Sequence, residues 1–324
     1  MTSDSRGLQT GALTLEREFV LPQRPGVLTT VFRFVVHKPL GTFGFLLIGL
    51  VAFMAAAEPA IARYDGLQTF EVTNPAYDPT SFDPAALSPT KINTQGPPSM
   101  TNWFGTDHQG HDTYARIVRG ARRSLGIGLG SLAIGTAAGV FIALVSAYIK
   151  GTFDMIVQRF MDGFQAFPPL IFLVLLVTVR EPTVLNLTIG LGIVATPSVS
   201  RVVRSVVFQV REMPYVEAAR VIGCQDVRIM VRHILPNVLA PVIVVFSIGV
   251  GTVILAEAML TFLGLGPPGI SWGQMLNTGR LFLLDSPWQA IFGGLAITLA
   301  VLGFNLAGDA LRDVLDPRLG LRGS

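Results

Sequence analysis

The chain has 324 residues, of which half are hydrophobic and only 14% charged, with a mean hydropathy of +0.55. That excludes an ordinary soluble domain, where charged residues make up about a quarter. The net charge of +3 is modest, and its arginines lie in short loops rather than one continuous stripe, a pattern of membrane orientation and not of nucleic-acid binding. A single cysteine, Cys224, rules out an internal disulfide and any cysteine-based metal cluster; beside Gly223 it reads as a small buried loop residue.

In chain order, the first apolar run is Leu40 to Ala57, ending at Glu58 and Pro59. The small residues of AFMAAAEPA resemble a cleavage site, but the leader before it, with Pro22 and Pro25, is long for a signal peptide, so a retained anchor is favoured. Between Glu58 and Arg123 comes a segment whose first part, NPAYDPTSFDPAALSPT, predicts turns and irregular structure. Its second part reads WFGTDHQGHDTYARIVRGARRSL from Trp103 to Leu125. His108 and His111 invite a metal reading, but no cysteine accompanies them, and Asp107 and Asp112 serve equally as turn and cap residues. An exposed interfacial histidine pair is the expectation.

Four further runs are Leu125 to Ile149, Phe164 to Val179, Val184 to Val199 and Val238 to Leu263, and a last one covers Ala290 to Ala307. With flanking residues, each reaches the roughly 17–25 needed to cross about 30 Å of hydrocarbon as a helix. The third and fourth of the six are short and interrupted by Pro168, Pro169 and Pro197. Gly126, Gly128, Gly130, Gly135 and Gly139 in the second suggest close helix packing. Arg159 and Asp162 at the edge of the third suggest an interfacial pair.

The polar stretch Glu217 to Pro236, EAARVIGCQDVRIMVRHILP, lies between apolar runs. Pro214 suits a first helical turn, with Tyr215, Ala218, Ala219 and Ile222 forming one apolar side. Gly223 permits a left-handed exit, and Val227, Ile229, Met230 and Val231 begin a second amphipathic piece that Pro236 stops. Two short helices at an angle make a knob that another protein grips; the bland alternative is an interfacial loop with arginines on lipid phosphates.

Glu257 sits inside the fifth run. An intramembrane carboxylate is a functional candidate by default, but a structural hydrogen-bond partner or a wet group near the outer edge are equal readings. Beyond it, TFLGLGPPGISWGQMLNTG (Thr261 to Gly279) breaks the helix, with Trp272 suited to an interface where its N–H stays wet. The end of the last run continues into NLAGDALRDVLDPRLG, Asn305 to Gly320.

These four motifs, in this order, resemble the membrane subunits of ATP-binding-cassette importers. Glu217, Ala218, Ala219, Gly223, Leu235 and Pro236 fall on the spacing of the family's EAA loop. His233 departs from its aliphatic position, in a form familiar in the dipeptide and oligopeptide branch. The GTDxxGxD and GARxSL residues, the FLGLG…SWGxML loop and the NxxGDxLRDxLDPR ending fit the same branch, and the long segment after the first run fits its C-type member.

The resemblance implies an all-α integral membrane protein of about six transmembrane helices with the type I importer permease fold. It would be organised as a cytoplasmic segment 1–38, a first transmembrane helix 39–57, an extracytoplasmic segment 58–123, a permease core 124–309 with the coupling loop at 214–236, and a cytoplasmic tail 310–324. It implies ATPase coupling through the EAA residues, and a face toward pathway or binding protein at Glu257, Gly264, Gly266, Pro268 and Trp272. Catalytic and metal-binding residues are not expected. The implied partners are a homologous second permease subunit, one or two ATP-binding subunits that bind ATP and Mg, an extracytoplasmic substrate-binding protein and membrane lipid, with no cofactor on this chain and no nucleic acid.

The chain carries no GxxxxGK[ST] loop for ATP. Six spans put both termini and the EAA loop on one side, which holds 16 of the 24 Lys and Arg residues, including Arg6, Arg17, Arg24, Arg33, Arg318 and Arg322. By that bias it is the cytoplasmic face of a prokaryotic plasma membrane. Arg116, Arg119, Arg122 and Arg123 dissent, and helical spacing lets them lie along the interface. An ion-coupled secondary transporter using Glu257 and Asp162 is the rival reading, although paired broken repeats are not evident. A non-transporting scaffold would leave the EAA spacing unexplained.

Overall fold

The computed structural model describes residues 35–36, 38–81 and 83–315. The leader arginines, Arg318, Arg322 and the last residues of the DPR motif lie outside them. Among the described residues, five helices are long and apolar enough to cross a membrane, or six if one bent pair counts as a span.

The first is α1, Pro39–Ala56, followed by a single turn α2, Glu58–Ile61. A two-stranded antiparallel ribbon follows, β1 (Glu71–Thr73) against β2 (Thr90–Ile92), with Val72 opposite Lys91. The next helix, α3, runs Thr113–Ile149, so it begins well before the apolar run that announced it. Asp112 caps it, accepting from the Ala115 N–H at 2.8 Å, while Asn102 Nδ2 donates to the other Asp112 oxygen at 2.9 Å.

The arginine cluster therefore belongs to the first three turns of α3, and its charges are met within the protein, by the segment before α3 and by the carbonyls of Pro267 and Pro268. Arg116 Nη1 donates to Asp107 Oδ2 at 2.6 Å, Arg119 bridges Glu58 and Asp65, and Arg123 donates to the carbonyls of Pro267 and Pro268. The expected exposed histidine pair is also corrected. His111 is buried, its Nδ1 3.1 Å from Asp107 Oδ2 and 2.8 Å from Arg116 Nη1, and His108 stacks on Phe282 instead. Because Asp107 and Arg116 are both buried, Arg116→Ala leaves a carboxylate without its cation. It is expected to cost about 3–5 kcal/mol, read as accelerated proteolysis of residues 58–112; unchanged protection would refute it.

Lys150 and Gly151, at φ 66° and 65°, turn the chain into α4, Gly151–Ala166, which breaks at Phe167 and Pro168 into α5, Pro169–Val179. These two meet at 83°. The single run expected from Phe164 to Val179 is thus an elbow, because Pro169 lacks an N–H and Pro168 biases its neighbour away from helical geometry. Asp162 pairs not with Arg159 but with Arg201, at 2.9 Å. The following helix, α6, is continuous over Val184–Arg211 despite Pro197.

α3 and α6 run parallel and touch backbone to backbone. A Cβ added at Gly135 would lie 2.7 Å from the Gly192 carbonyl oxygen, and one at Gly192 would lie 2.8 Å from that of Ser131. Within lipid, where apolar burial gives no advantage between helices, such close approach is what holds them. Gly126 does not take part, since a Cβ there would meet nothing within 4 Å.

Two short helices, α7 (Pro214–Val221) and α8 (Asp226–Ile229), lead through a π-helical turn at Met230–Ile234 into α9, Leu235–Phe262. Pro236 does not stop this piece as expected. The wider turn accommodates a residue that has no N–H to give to the preceding ladder, and the helix continues from Asp226 to Phe262. After a glycine-rich loop come α10, Trp272–Gly279, and α11, Trp288–Leu315. Gly44 of α1 and Gly303 of α11 seat those helices together. One apolar core, with Leu125, Ile254, Trp272 and Met275, lies at the ribbon end; a second, with Tyr148, Val207, Val216, Ile229 and Ile234, lies at the α7–α8 end.

Candidate functional site

The α7–α8 knob is built by its glycine. Gly223, at φ 81°, follows α7 in the left-handed region. The Cys224 N–H reaches back to the Ala219 carbonyl at 3.0 Å and the Gly223 N–H to that of Arg220 at 3.0 Å. This pair of bonds is a Schellman cap, which satisfies the carbonyls that a helix end leaves orphaned and redirects the chain. Cys224 is half-buried rather than buried.

The buried face of α7 consists of Val216 and Ala219, not of Tyr215, Ala218, Ala219 and Ile222. Ala219 alone of those four is inside, because the helix docks through its 216/219 edge onto the core that holds Ile229 and Ile234. Glu217 and Ala218 are exposed, Leu235 is half-buried and Pro236 exposed. The opposite face carries Val221 at 82%, Ile222 at 79% and Val227 at 65% exposure. Such an apolar patch on a small two-helix projection is unusual for a free surface and suits a partner. Just before it, Glu212 lies against Lys150 Nζ at 2.5 Å, and that ammonium holds its carboxyl below the usual carboxylate range.

The second predicted set gathers at the ribbon end. Glu257 is 1% exposed; Ser124 Oγ donates to it at 3.3 Å and Thr261 Oγ1 at 3.1 Å. Its place is a buried hydrogen-bond node between α3 and α9. Glu257→Ala strands both buried hydroxyls and is expected to cost about 1–3 kcal/mol, visible as a lower thermal midpoint in detergent. Glu257→Gln, which still accepts, is expected to lose less; equal losses would reject the hydrogen-bond account.

Trp272 is fully buried and its Nε1 donates to the Ile117 carbonyl at 3.0 Å, so its N–H is paired inside rather than wet. Gly120 makes room for it: a Cβ there would sit 2.8 Å from the indole. Gly264, at φ 83°, ends α9 in a second Schellman cap, Leu265 N–H to Leu260 at 3.1 Å and Gly264 N–H to Thr261 at 2.9 Å. Gly266 packs on Thr261, and Pro268 presents its carbonyl to Arg123 at 2.7 Å.

None of these five lines the cavity at the α4–α5 elbow. About 710 Å3 of mostly apolar space opens in the crook of the α4–α5 elbow, walled by Phe164, Gln165 and Phe167 and faced by Ser198 of α6 and by Thr252 and Met259 of α9. Sequence reasoning missed this lining, although the Pro168–Pro169 break was the available signal. Among the described residues no three His, Cys, Asp or Glu side chains converge on a possible metal.

The geometry is that of a helical membrane subunit with a protruding knob. The family model described as binding-protein-dependent transport system inner membrane component matches residues 135–321. The dipeptide transport system permease protein DppC of Alkalihalophilus pseudofirmus is 42% identical over 242 residues, covering 74% of this chain and 79% of that protein. A putative peptide transport system permease protein of Brucella abortus biovar 1 is 41% identical, covering 70% and 77%. The glutathione transport system permease protein GsiD of an Escherichia coli O6:K15:H31 strain is 39% identical, covering 70% and 76%. A crystal structure described as an amino acid ABC transporter with histidines superposes on 64% of this chain and 94% of that one, with a TM-score of 0.47 and 15% identity.

The chain belongs to the inner-membrane component family of binding-protein-dependent transport systems. It is a permease subunit of an ABC importer and not itself an enzyme. The ion-coupled alternative finds no support in these relatives, and its two carboxylates are already engaged, Glu257 by hydroxyls and Asp162 by Arg201.

Proposed function

We propose that this chain forms half of the pathway by which peptides, or a related small solute such as glutathione or nickel, enter a prokaryotic cell. A homologous second permease subunit supplies the other half, and an extracytoplasmic binding protein delivers cargo at the ribbon end, where Gly264, Gly266, Pro268 and the α10 segment lie. One or two ATP-binding subunits hold ATP and Mg and grip the knob through Glu217, Ala218, Ala219, Gly223, Leu235 and Pro236. The knob and both termini face the cytoplasm, in line with the excess of Lys and Arg on that side.

The observation that carries this reading is the knob itself: two short helices locked by a Schellman glycine, with Val221, Ile222 and Val227 turned outward. Closure of the ATPase dimer would move such a projection as a lever and shift the balance between outward- and inward-facing states. Relatives bearing dipeptide and glutathione names support the cargo class, and the 710 Å3 cavity has room for a small peptide.

Reconstitution with the second permease, the ATPase subunits and the binding protein in liposomes tests it. Uptake of a labelled dipeptide is expected with ATP inside the ATPase compartment and absent without it. Uptake driven by a sodium or proton gradient alone would overturn the assignment.

A further inference from the structure

At the knob end, the last turn of α3 is fastened to everything around it. Arg211 Nη1 donates to the Ala147 carbonyl at 3.0 Å and also to that of Tyr148, two of the carbonyls a helix end leaves unpaired. Those bonds, with Lys150 to Glu212, come from the approach to the knob. Tyr148 reaches the knob itself. Its ring is buried, its hydroxyl donates to Asp226 Oδ1 at 2.5 Å, and the Arg220 guanidinium lies 5.8 Å from its ring centre, within cation–π range. Arg220 belongs to α7 and Asp226 opens α8, so one side chain holds both halves of the knob across the Gly223 joint.

We infer that Tyr148 is the positioning residue that passes displacement of the knob to α3. This rests on the coupling reading of the knob. The alternative route, through the chain itself, enters by α6 and leaves by α9, and neither element needs a phenol hydroxyl. α3 has 37 residues and so is about 55 Å long at 1.5 Å per residue. Its far end carries Ile117, which accepts the Trp272 indole N–H, and Ser124, which donates to Glu257. A push on Tyr148 therefore arrives, through a rigid rod, at the side chains that seat α10 and the Gly264–Trp272 loop. The phenol is suited to this task because a charged acceptor makes its hydrogen bond strong and directional, while burial of the ring keeps the rod and the knob from sliding past each other.

The test uses the assembled transporter with Cys224→Ala, so that Val221→Cys becomes the sole cysteine of this chain. Cross-linking of Val221→Cys to an ATPase subunit reports that the knob is docked, independently of Tyr148; if that cross-link does not form, the coupling reading fails. With the cross-link formed, Tyr148→Phe is expected to assemble and hydrolyse ATP while uptake per ATP falls about tenfold, the order set by loss of one hydrogen bond to a charged group. Asp226→Ala, which removes the acceptor, is expected to do the same, and the double variant no worse than either single one, as for two partners of one bond. Unchanged uptake per ATP in Tyr148→Phe, multiplicative losses in the double variant, or failure of Tyr148→Phe to co-purify with its partners would each overturn the proposal, the last by assigning Tyr148 to assembly alone.

Discussion

Gly223→Val is expected to bring ATP-driven uptake to background while leaving the protein inserted and folded. At φ 81° a β-branched residue meets its own backbone, at a cost of about 1–2 kcal/mol. The same position has open space, with nothing within 4 Å of an added Cβ, so no packing is lost. The strain relaxes by turning α8 away from α7, which also breaks the two cap bonds from Cys224 and Gly223. Gly223→Asn is the control, because asparagine enters the left-handed region more readily, and it is expected to keep a measurable part of the activity. Uptake in liposomes and thermal midpoints in detergent check both halves. A valine variant with normal uptake would detach the knob's shape from transport.

Gly192→Leu is expected to abolish the folded protein. An added Cβ already lies 2.8 Å from the Ser131 carbonyl and 3.0 Å from Ile134 Cγ2, and a backbone carbonyl has no rotamer by which to yield. Overpacking commonly costs about 1–3 kcal/mol where side chains can shift; between two backbones the helices have to part, and the α3–α6 contact goes with them. Gly126→Leu lies on the same α3 helix with no neighbour within 4 Å, and is expected to be neutral. Monodispersity in detergent and the thermal midpoint distinguish the two, and equal behaviour would show that the parallel pair is not held by close approach.

That contrast also shows where sequence alone suffices. Apolar runs located the membrane helices because hydrocarbon requires long stretches with internally paired backbones. The glycine at 223 and the aspartate at 112 were readable as an exit and a cap because both are local chemistry. Arg116, Arg119 and Arg123 were misplaced at the interface since their partners Asp107, Glu58 and Pro268 come from elsewhere in the chain. Trp272 was expected at a wet interface for the same reason, since Ile117, which takes its indole N–H, is 155 residues away; Ser124, 133 residues from Glu257, is likewise too distant in sequence to choose among the readings of that carboxylate. Among five glycines in one run, nothing in the spacing separated Gly135, pressed on a neighbour, from Gly126, which is open.

Two parallel helices in direct backbone contact cannot be joined by a tight turn; the chain has to cross back over the full thickness between them. Residues 150–183 make that return, and the 83° elbow with its cavity lies on it. The return passage meets α6 through side chains instead, Leu176 against Gly190 and Asp154 paired with Arg204 at 2.6 Å. The permease thus sets a spine fixed by backbone contact beside a return passage fixed by side chains. Substitutions at Phe164, Gln165 and Phe167, which line the cavity, are expected to reshape it without touching the α3–α6 contact.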